Sequence, residues 1–266
     1  MAFSDLHSHN IKRYGWIPDL PDARDYLYAA PPSVLTALPP KADLRSQCPA
    51  VYNQGELGSC TGNAIAAAIQ FERMKQQLAS AEKAVPSRLF IYYNERVIEG
   101  TVPQDSGAMI RDGMKSVASQ GVCFESGPDS WPYEIKEFAD KPAADCYTAA
   151  ERNKIVQYSR LVPMAPQLKG CLANGYPFVF GFTVYESFES ASVASSGAVP
   201  MPASGERILG GHAVVAIGYD DAEQRFLLRN SWGSSWGMQG YFTMPYAYLT
   251  DSNMADDFWT IQTVAA

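Results

Sequence analysis

Three features of the 266-residue sequence predict an α+β fold in two lobes: helical periodicity is confined to the first half, short β-branched and aromatic runs fill the second, and Gly, Asn and Asp punctuate those runs. The junction between a helical lobe and a sheet or barrel lobe is a natural place for a cleft. The expected division is an N-terminal arm and linker over 1–45, a helical lobe over 46–150 and a β-rich lobe over 151–266.

Each element follows from local chemistry. Residues 14–28, YGWIPDLPDARDYLY, mix aromatics and prolines as an extended, surface-packed arm would, and are too few to fold alone. Four prolines in 29–44 impose extended backbone and read as a linker. Beyond Cys60, the residues Ala64, Ala68, Phe71, Met74 and Leu78 recur on one helix face. The first half of that helix is apolar all round through Ile65, Ala66, Ala67 and Ile69, so it should start buried and emerge at Glu72, Arg73, Lys75 and Gln76. Further helical patterns cover 86–98 and 107–120, the latter stopped by Gly121. Strands are expected at YPFVFGFTVY, HAVVAIGYD, RFLLRN and GYFTMPY. Between the first two lies 186–210, rich in Ser, Ala, Gly and Pro, which reads as a long mobile loop leading to His212.

Composition excludes several classes. With 47% hydrophobic and 18% charged residues the chain is an ordinary globule, and 21 basic against 28 acidic residues give a net charge of −7, opposite to a nucleic-acid binder. No apolar run approaches the roughly 18 residues of a membrane span, and the first 16 residues lack the apolar core of a secretory signal, so the cytoplasm is favoured over secretion. Cys48, Cys60, Cys123, Cys146 and Cys171 form no CxxC pair, which argues against zinc. His7 and His9 read as exposed surface rather than as metal ligands. Neither a metal nor a cofactor is expected, and a monomer is the favoured state.

The residues that carry chemistry lie in three short stretches. QGELGSC, residues 54–60, sets a thiol at the mouth of the first helix. LGGHAVVAIGYD places His212 at a strand start, where a core histidine is the default; RNSWGSSWGMQGYF, with Asn230 ending a strand, carries more Trp and Gly than a hairpin needs. A helix N-terminus contributes about half a positive charge, and a neighbouring imidazolium a full one, so Cys60 stands where it can ionise.

In that order, QGELGSC, GGHAVV and NSWGSSWG resemble the active-site motifs of the papain-like cysteine peptidases, over about residues 43–250. The histidine follows the cysteine by 152 residues and the asparagine by 170, slightly beyond the family's roughly 130 to 150. An insertion is implied, and 186–210 is the candidate. The resemblance implies the papain-like two-lobe fold, Cys60 as nucleophile and His212 as base. It further implies Asn230 as the residue orienting the ring, Gln54 as an oxyanion donor and Trp232 as the shelter of the His–Asn bond. By similarity, DSGAM at 105–109 binds the substrate main chain, with Gly107 at the point of close approach. Peptides or proteins are the implied substrates, without nucleic acid or membrane partners.

Three departures accompany the resemblance. Leu57 stands where many members have a cysteine, Thr61 where an aromatic usually follows the nucleophile, and the arm lacks the helical pattern of the common inhibitory propeptide. None removes a catalytic group. The leading expectation is a cysteine endopeptidase acting through a thioester, its arm either lying across the groove and restricting access or strapped to the body's surface; the alternative is an acyl transferase or amidase using the same triad. A binding module with a dead site is disfavoured because all four groups are present.

Overall fold

A computed structural model describes residues 14–265; His7 and His9 lie outside them. The chain enters as an extended arm and passes a single helical turn α1 (Pro32–Leu35) and a short strand β1 (Lys41–Asp43). The helices α2 (Cys60–Lys75), α3 (Arg88–Glu99), α4 (Ile110–Gln120) and α5 (Ala144–Ala150) follow. The second half holds β2 (Ile155–Arg160), α6 (Ala165–Ala173), β3 (Phe178–Tyr185), α7 (Ala191–Ser196), β4 (Ile208–Asp220), β5 (Arg225–Arg229), β6 (Tyr241–Pro245), α8 (Tyr246–Leu249) and β7 (Ala255–Val264). Helices first and strands later is the order expected of the α+β fold.

The seven strands form one antiparallel sheet in the order β2-β7-β3-β4-β5-β6, with β1 also on β4. Helix α2 lies against β4 and β7, and its residues Ile65, Ile69 and Phe71 share one apolar core with Phe178, Phe180, Val214 and Trp259 of the sheet. That packing fixes the start of α2 against the middle of β4, where His212 stands.

Three expectations are corrected. The central helix does not emerge at Glu72 and Arg73, which are 2% and 7% exposed. Arg73 is accommodated by a 2.9 Å bond to Asn153 and by the Phe124 ring, since a buried charge needs a partner. The stretch 186–210 is not structureless: Ser190 caps α7 by accepting the Val193 N–H, Glu206 accepts from Ser187 and Ala203, and Phe188, Val193 and Val199 are buried. Its Ile208 already belongs to β4. The proline-rich linker contains α1, with proline in its first turn where a missing N–H costs nothing, and its end pairs with β4. Strands β1, β2 and β7 and helix α6 add to the elements expected.

Among the described residues no helix is long and apolar enough to cross a membrane, and no cluster of His, Cys, Asp or Glu could hold a metal ion. All five cysteines are free thiols.

Candidate active site

Cys60 is the first residue of α2 and is fully buried. The loop before it is pinned from several sides. Tyr133 donates its hydroxyl to the Gln54 carbonyl at 2.9 Å and meets the Ser59 hydroxyl at 2.5 Å. Asp105 accepts the Gly58 N–H with both oxygens at 3.1 Å and the Tyr92 hydroxyl at 2.6 Å. The loop doubles back at Gly55, whose φ of +62° suits glycine; Gly58 is not in that region, and its carbonyl oxygen lies where a Cβ at Gly15 of the arm would be.

Gln54 is buried with its amide held at both ends. Its Oε1 accepts the Ser231 hydroxyl at 2.6 Å and its Nε2 donates to the Leu57 carbonyl at 2.9 Å, which leaves one Nε2 hydrogen for another acceptor. His212 is likewise buried, with Nε2 at 2.8 Å from Asn230 Oδ1. That oxygen also accepts the Ser231 N–H at 2.8 Å, so the amide is turned with its oxygen to the ring. An oxygen there accepts Nε2–H and makes Nδ1 the basic nitrogen. The Trp232 ring lies 5.0 Å from the imidazole, tilted by 32°, and covers the bond. The backbone N–H of Ala213, the residue after His212, faces the Cys60 sulfur. Thus Gln54, His212, Asn230 and Trp232 are joined through Ser231 and the His–Asn bond, and Cys60 opens the helix that packs on β4.

The arm runs through the same place. Trp16 N–H donates to the Gly211 carbonyl at 2.9 Å, Ala108 N–H donates to Gly15 at 2.8 Å, and Ile17 N–H donates to Ala108 at 3.0 Å. Trp16 therefore bridges Ala108 in parallel sense. The Tyr14 ring stands edge-on to His212 at 6.1 Å. The residue making the main-chain ladder is Ala108, one position after the Gly107 expected from DSGAM. Gly107 marks the close approach: with φ +77°, a Cβ there would sit 2.3 Å from the Gly15 carbonyl oxygen.

Sequence reasoning missed several residues here. Glu95 is fully buried beneath the nucleophile and accepts the Thr61 hydroxyl at 2.7 Å, so Thr61 fills the position usual for an aromatic by a polar contact. Burial raises the Glu95 carboxyl well above the usual range, against the Thr61 bond. The thiol follows the same rule. Burial pushes Cys60 up to about 12 although the amides of Ala213, Gly15 and Thr61 point at its sulfur. The direction is opposite to the lowering expected from the sequence, and its largest cause is burial.

A cluster of charges holds the arm further on. Asp19 accepts the Arg111 N–H at 3.0 Å and the Trp259 indole at 2.9 Å, while Asp25 pairs with Arg111 at 2.5 Å and Arg160 at 3.4 Å. Asp257 accepts from the Trp16 indole at 3.0 Å, the Asp19 N–H at 2.7 Å and Arg160 at 2.9 Å. Burial raises both Asp19 and Asp257, and their proximity works in the same direction for Asp257.

Residues 38–260 match the family described as papain family cysteine protease. An uncharacterized peptidase C1-like protein of Acanthamoeba polyphaga mimivirus is 42% identical over 277 residues, covering 95% of this chain and 88% of its own length. Pro-cathepsin H of Bos taurus is 25% identical, covering 90% of this chain and 69% of its own. Xylellain, a cysteine protease from Xylella fastidiosa, superposes with a TM-score of 0.85 at 45% identity over 99% of both chains. Procathepsin B from Trypanosoma congolense shares the fold, with a TM-score of 0.70 at 15% identity over 96% of this chain and 87% of its own. The chain belongs to the papain family of cysteine proteases. It is a papain-like cysteine peptidase, a hydrolase whose substrates are peptides or proteins.

Proposed function

We propose that the chain is an endopeptidase with Cys60 as nucleophile, closed by its own N-terminal arm. His212 Nδ1 takes the thiol proton, the thiolate attacks a peptide carbonyl, and Gln54 Nε2 with the Cys60 N–H receives the oxyanion. As the C–N bond breaks, the imidazolium gives its proton to the leaving amine; His212 then activates water, which cleaves the thioester and regenerates the thiol. Asn230 keeps the imidazole oriented and Trp232 shelters their bond. In this reading 1–45 is a lid, 46–150 supplies the nucleophile and 151–266 supplies the base.

One observation carries the lid reading. The Gly15 backbone N–H is among the groups that lower the Cys60 thiol, and its carbonyl oxygen is tied to the Ala108 N–H. The arm thus covers the nucleophile while offering it a donor hydrogen instead of an exposed carbonyl, which explains why an arm in the groove would block without being cleaved.

The test uses the close fit of the arm. A Cβ at Gly15 would lie 1.7 Å from the Gly58 carbonyl oxygen, so Gly15→Val should unseat the arm without touching any catalytic group. Peptide hydrolysis by the full chain should rise about tenfold or more in Gly15→Val and fall by more than about 10⁴-fold when Cys60→Ala is added. Unchanged turnover in folded Gly15→Val contradicts the lid, and turnover that survives Cys60→Ala contradicts the nucleophile.

A further inference from the structure

We propose that Arg88 is a positioning residue for the reaction: it heads a one-way chain of hydrogen bonds that ends on Gln54 and holds the oxyanion donors in place. This rests on the peptidase reading above and adds to it the group that sets Gln54.

The chain starts from a cation held between two rings. The Arg88 guanidinium is packed on Tyr52 and Tyr133, its central carbon 4.8 and 4.0 Å from the ring centres. Glu125 grips one edge with two bonds, from Nε at 2.6 Å and from Nη2 at 3.0 Å. A planar fork clamped by a bidentate carboxylate and two aromatic faces is fixed in orientation. Its remaining nitrogen, Nη1, donates to the Asn53 carbonyl and to Asn63 Oδ1, both at 3.2 Å.

Donor and acceptor chemistry then sets the direction of every link. Arginine can only donate, so the Asn63 amide turns its oxygen to Arg88 and its Nδ2 away. Nδ2 donates to the Ser59 hydroxyl at 3.1 Å and to the Ser59 carbonyl at 2.9 Å. At the far end the Gln54 carbonyl can only accept, and Tyr133 spends its one proton there at 2.9 Å. The 2.5 Å contact between Ser59 and Tyr133 therefore runs from the serine hydroxyl to the tyrosine oxygen. The order is Arg88, Asn63, Ser59, Tyr133, Gln54. Ser59 and Asn63 are fully buried, so a broken link leaves polar groups unpaired away from water.

A local rule is broken to build the chain. Ser59 is the N-cap of α2, where a serine side chain usually accepts an N–H of the first turn. It makes no such bond here, because its hydroxyl is engaged with Asn63 and Tyr133. The mouth of α2 thus has no side-chain cap to compete with the oxyanion for the Cys60 N–H. Gln54 is fixed by the same device. Its N–H donates to the Ser231 carbonyl at 2.8 Å while its C=O is taken by Tyr133, so the backbone that carries the donor amide is held on both sides. Small displacements of such a donor are costly in rate.

The experiment uses the full chain opened by Gly15→Val. Tyr133→Phe keeps the ring on Arg88 and deletes the link from Ser59 to Gln54. Its kcat for peptide hydrolysis should fall about tenfold or more with KM within about twofold, because the donors act on charge that develops in the transition state. Combined with Gln54→Ala, the two losses should fall well short of multiplying. Arg88→Lys keeps the charge without the planar fork and should lose as much as Tyr133→Phe. A kcat within about twofold of the parent in either variant, a loss carried by KM, or losses that multiply overturn the proposal. A second readout needs no turnover: in the full chain with its arm in place, hydrogen exchange of the Gln54 side-chain amide, followed by NMR, should quicken about tenfold in Tyr133→Phe and in Arg88→Lys. Unchanged exchange also overturns it. Gln54→Ala alone separates the two claims. A loss under about fivefold there defeats the oxyanion reading and leaves the exchange result to decide the chain; a loss of about 10² beside an indifferent Tyr133→Phe defeats the chain alone.

Discussion

The arm is held at its two ends by different physics. From Tyr14 to Ile17 it is attached to the groove by main-chain hydrogen bonds to Ala108 and Gly211 and by close fit against Gly58. From Asp19 to Asp25 it is attached by charge, with Arg111 and Asp25 paired at 5% and 8% side-chain exposure and Arg160 beside them. The first set of bonds is one that any extended peptide can make, so there the arm competes with substrate on equal terms. Nothing in a generic substrate reproduces the second. The comparison teaches that, under the proposed lid, the groove end would confer the blockade and the charged end would give the arm its advantage over substrate.

The largest effect that sharpens this contrast lies on the groove side. In the Gly15→Val chain, Gln54→Ala should lower peptide turnover by about 10² to 10³, the usual cost of one oxyanion donor; a loss under about fivefold would remove Gln54 from the site. Next comes the charged end. Arg111→Ala removes the closest cation from buried Asp25, leaving Arg160 at 3.4 Å, and breaking a buried pair costs up to about 3 to 5 kcal/mol in comparable cases. Turnover of the full chain should therefore rise at least about tenfold, and a folded Arg111→Ala chain with unchanged turnover would break the comparison.

The smallest effect concerns Glu95. Burial holds this carboxyl above its ordinary 4.5, so the folded state binds the proton more tightly than the unfolded chain does. Its contribution to stability is complete below about pH 4.5 and is lost as the pH rises toward the folded value. Glutamine resembles the protonated form. Glu95→Gln should shift the melting temperature by no more than about 2 °C at pH 5 and flatten its decline between pH 5 and 8. A drop of about 8 °C at pH 5 would show that Glu95 is ionised in the fold.

How much of this was legible in the sequence depends on what does the recognising. Cys60, His212, Asn230 and Gln54 could be named because the chemistry demands those side chains, and the structure bonds His212 to Asn230 and Gln54 to Ser231. Where main-chain atoms act, residue identity is a weaker guide. Gly107 is the obvious letter in DSGAM, yet Ala108 makes the ladder, because the turn at Gly107 rotates the next peptide toward the arm. Asp257 was invisible for a related reason: ADDFWTIQTV shows neither the slip of β7 against β3 between Val179 and Gly181 nor the left-handed φ of +59° at Asp257 itself. The rise in the Cys60 value could not be anticipated from the helix end alone, since its largest cause is burial, which tertiary packing sets. The loop 186–210 was misread because its composition hides a Ser190 cap and three buried apolar anchors.

The most direct test compares how fast iodoacetamide modifies Cys60 in the full chain and in Gly15→Val, followed by peptide mapping across pH 6 to 10. Under the arm the thiol is fully buried and pushed up to about 12, so the closed form should be favoured at low pH and lose ground as the pH climbs through the thiol's value in the open form. The account predicts modification at least about 100-fold faster in Gly15→Val at pH 8, with an inflection below about 8.5 that the full chain lacks. Equal rates and matching pH profiles in the two proteins would contradict it.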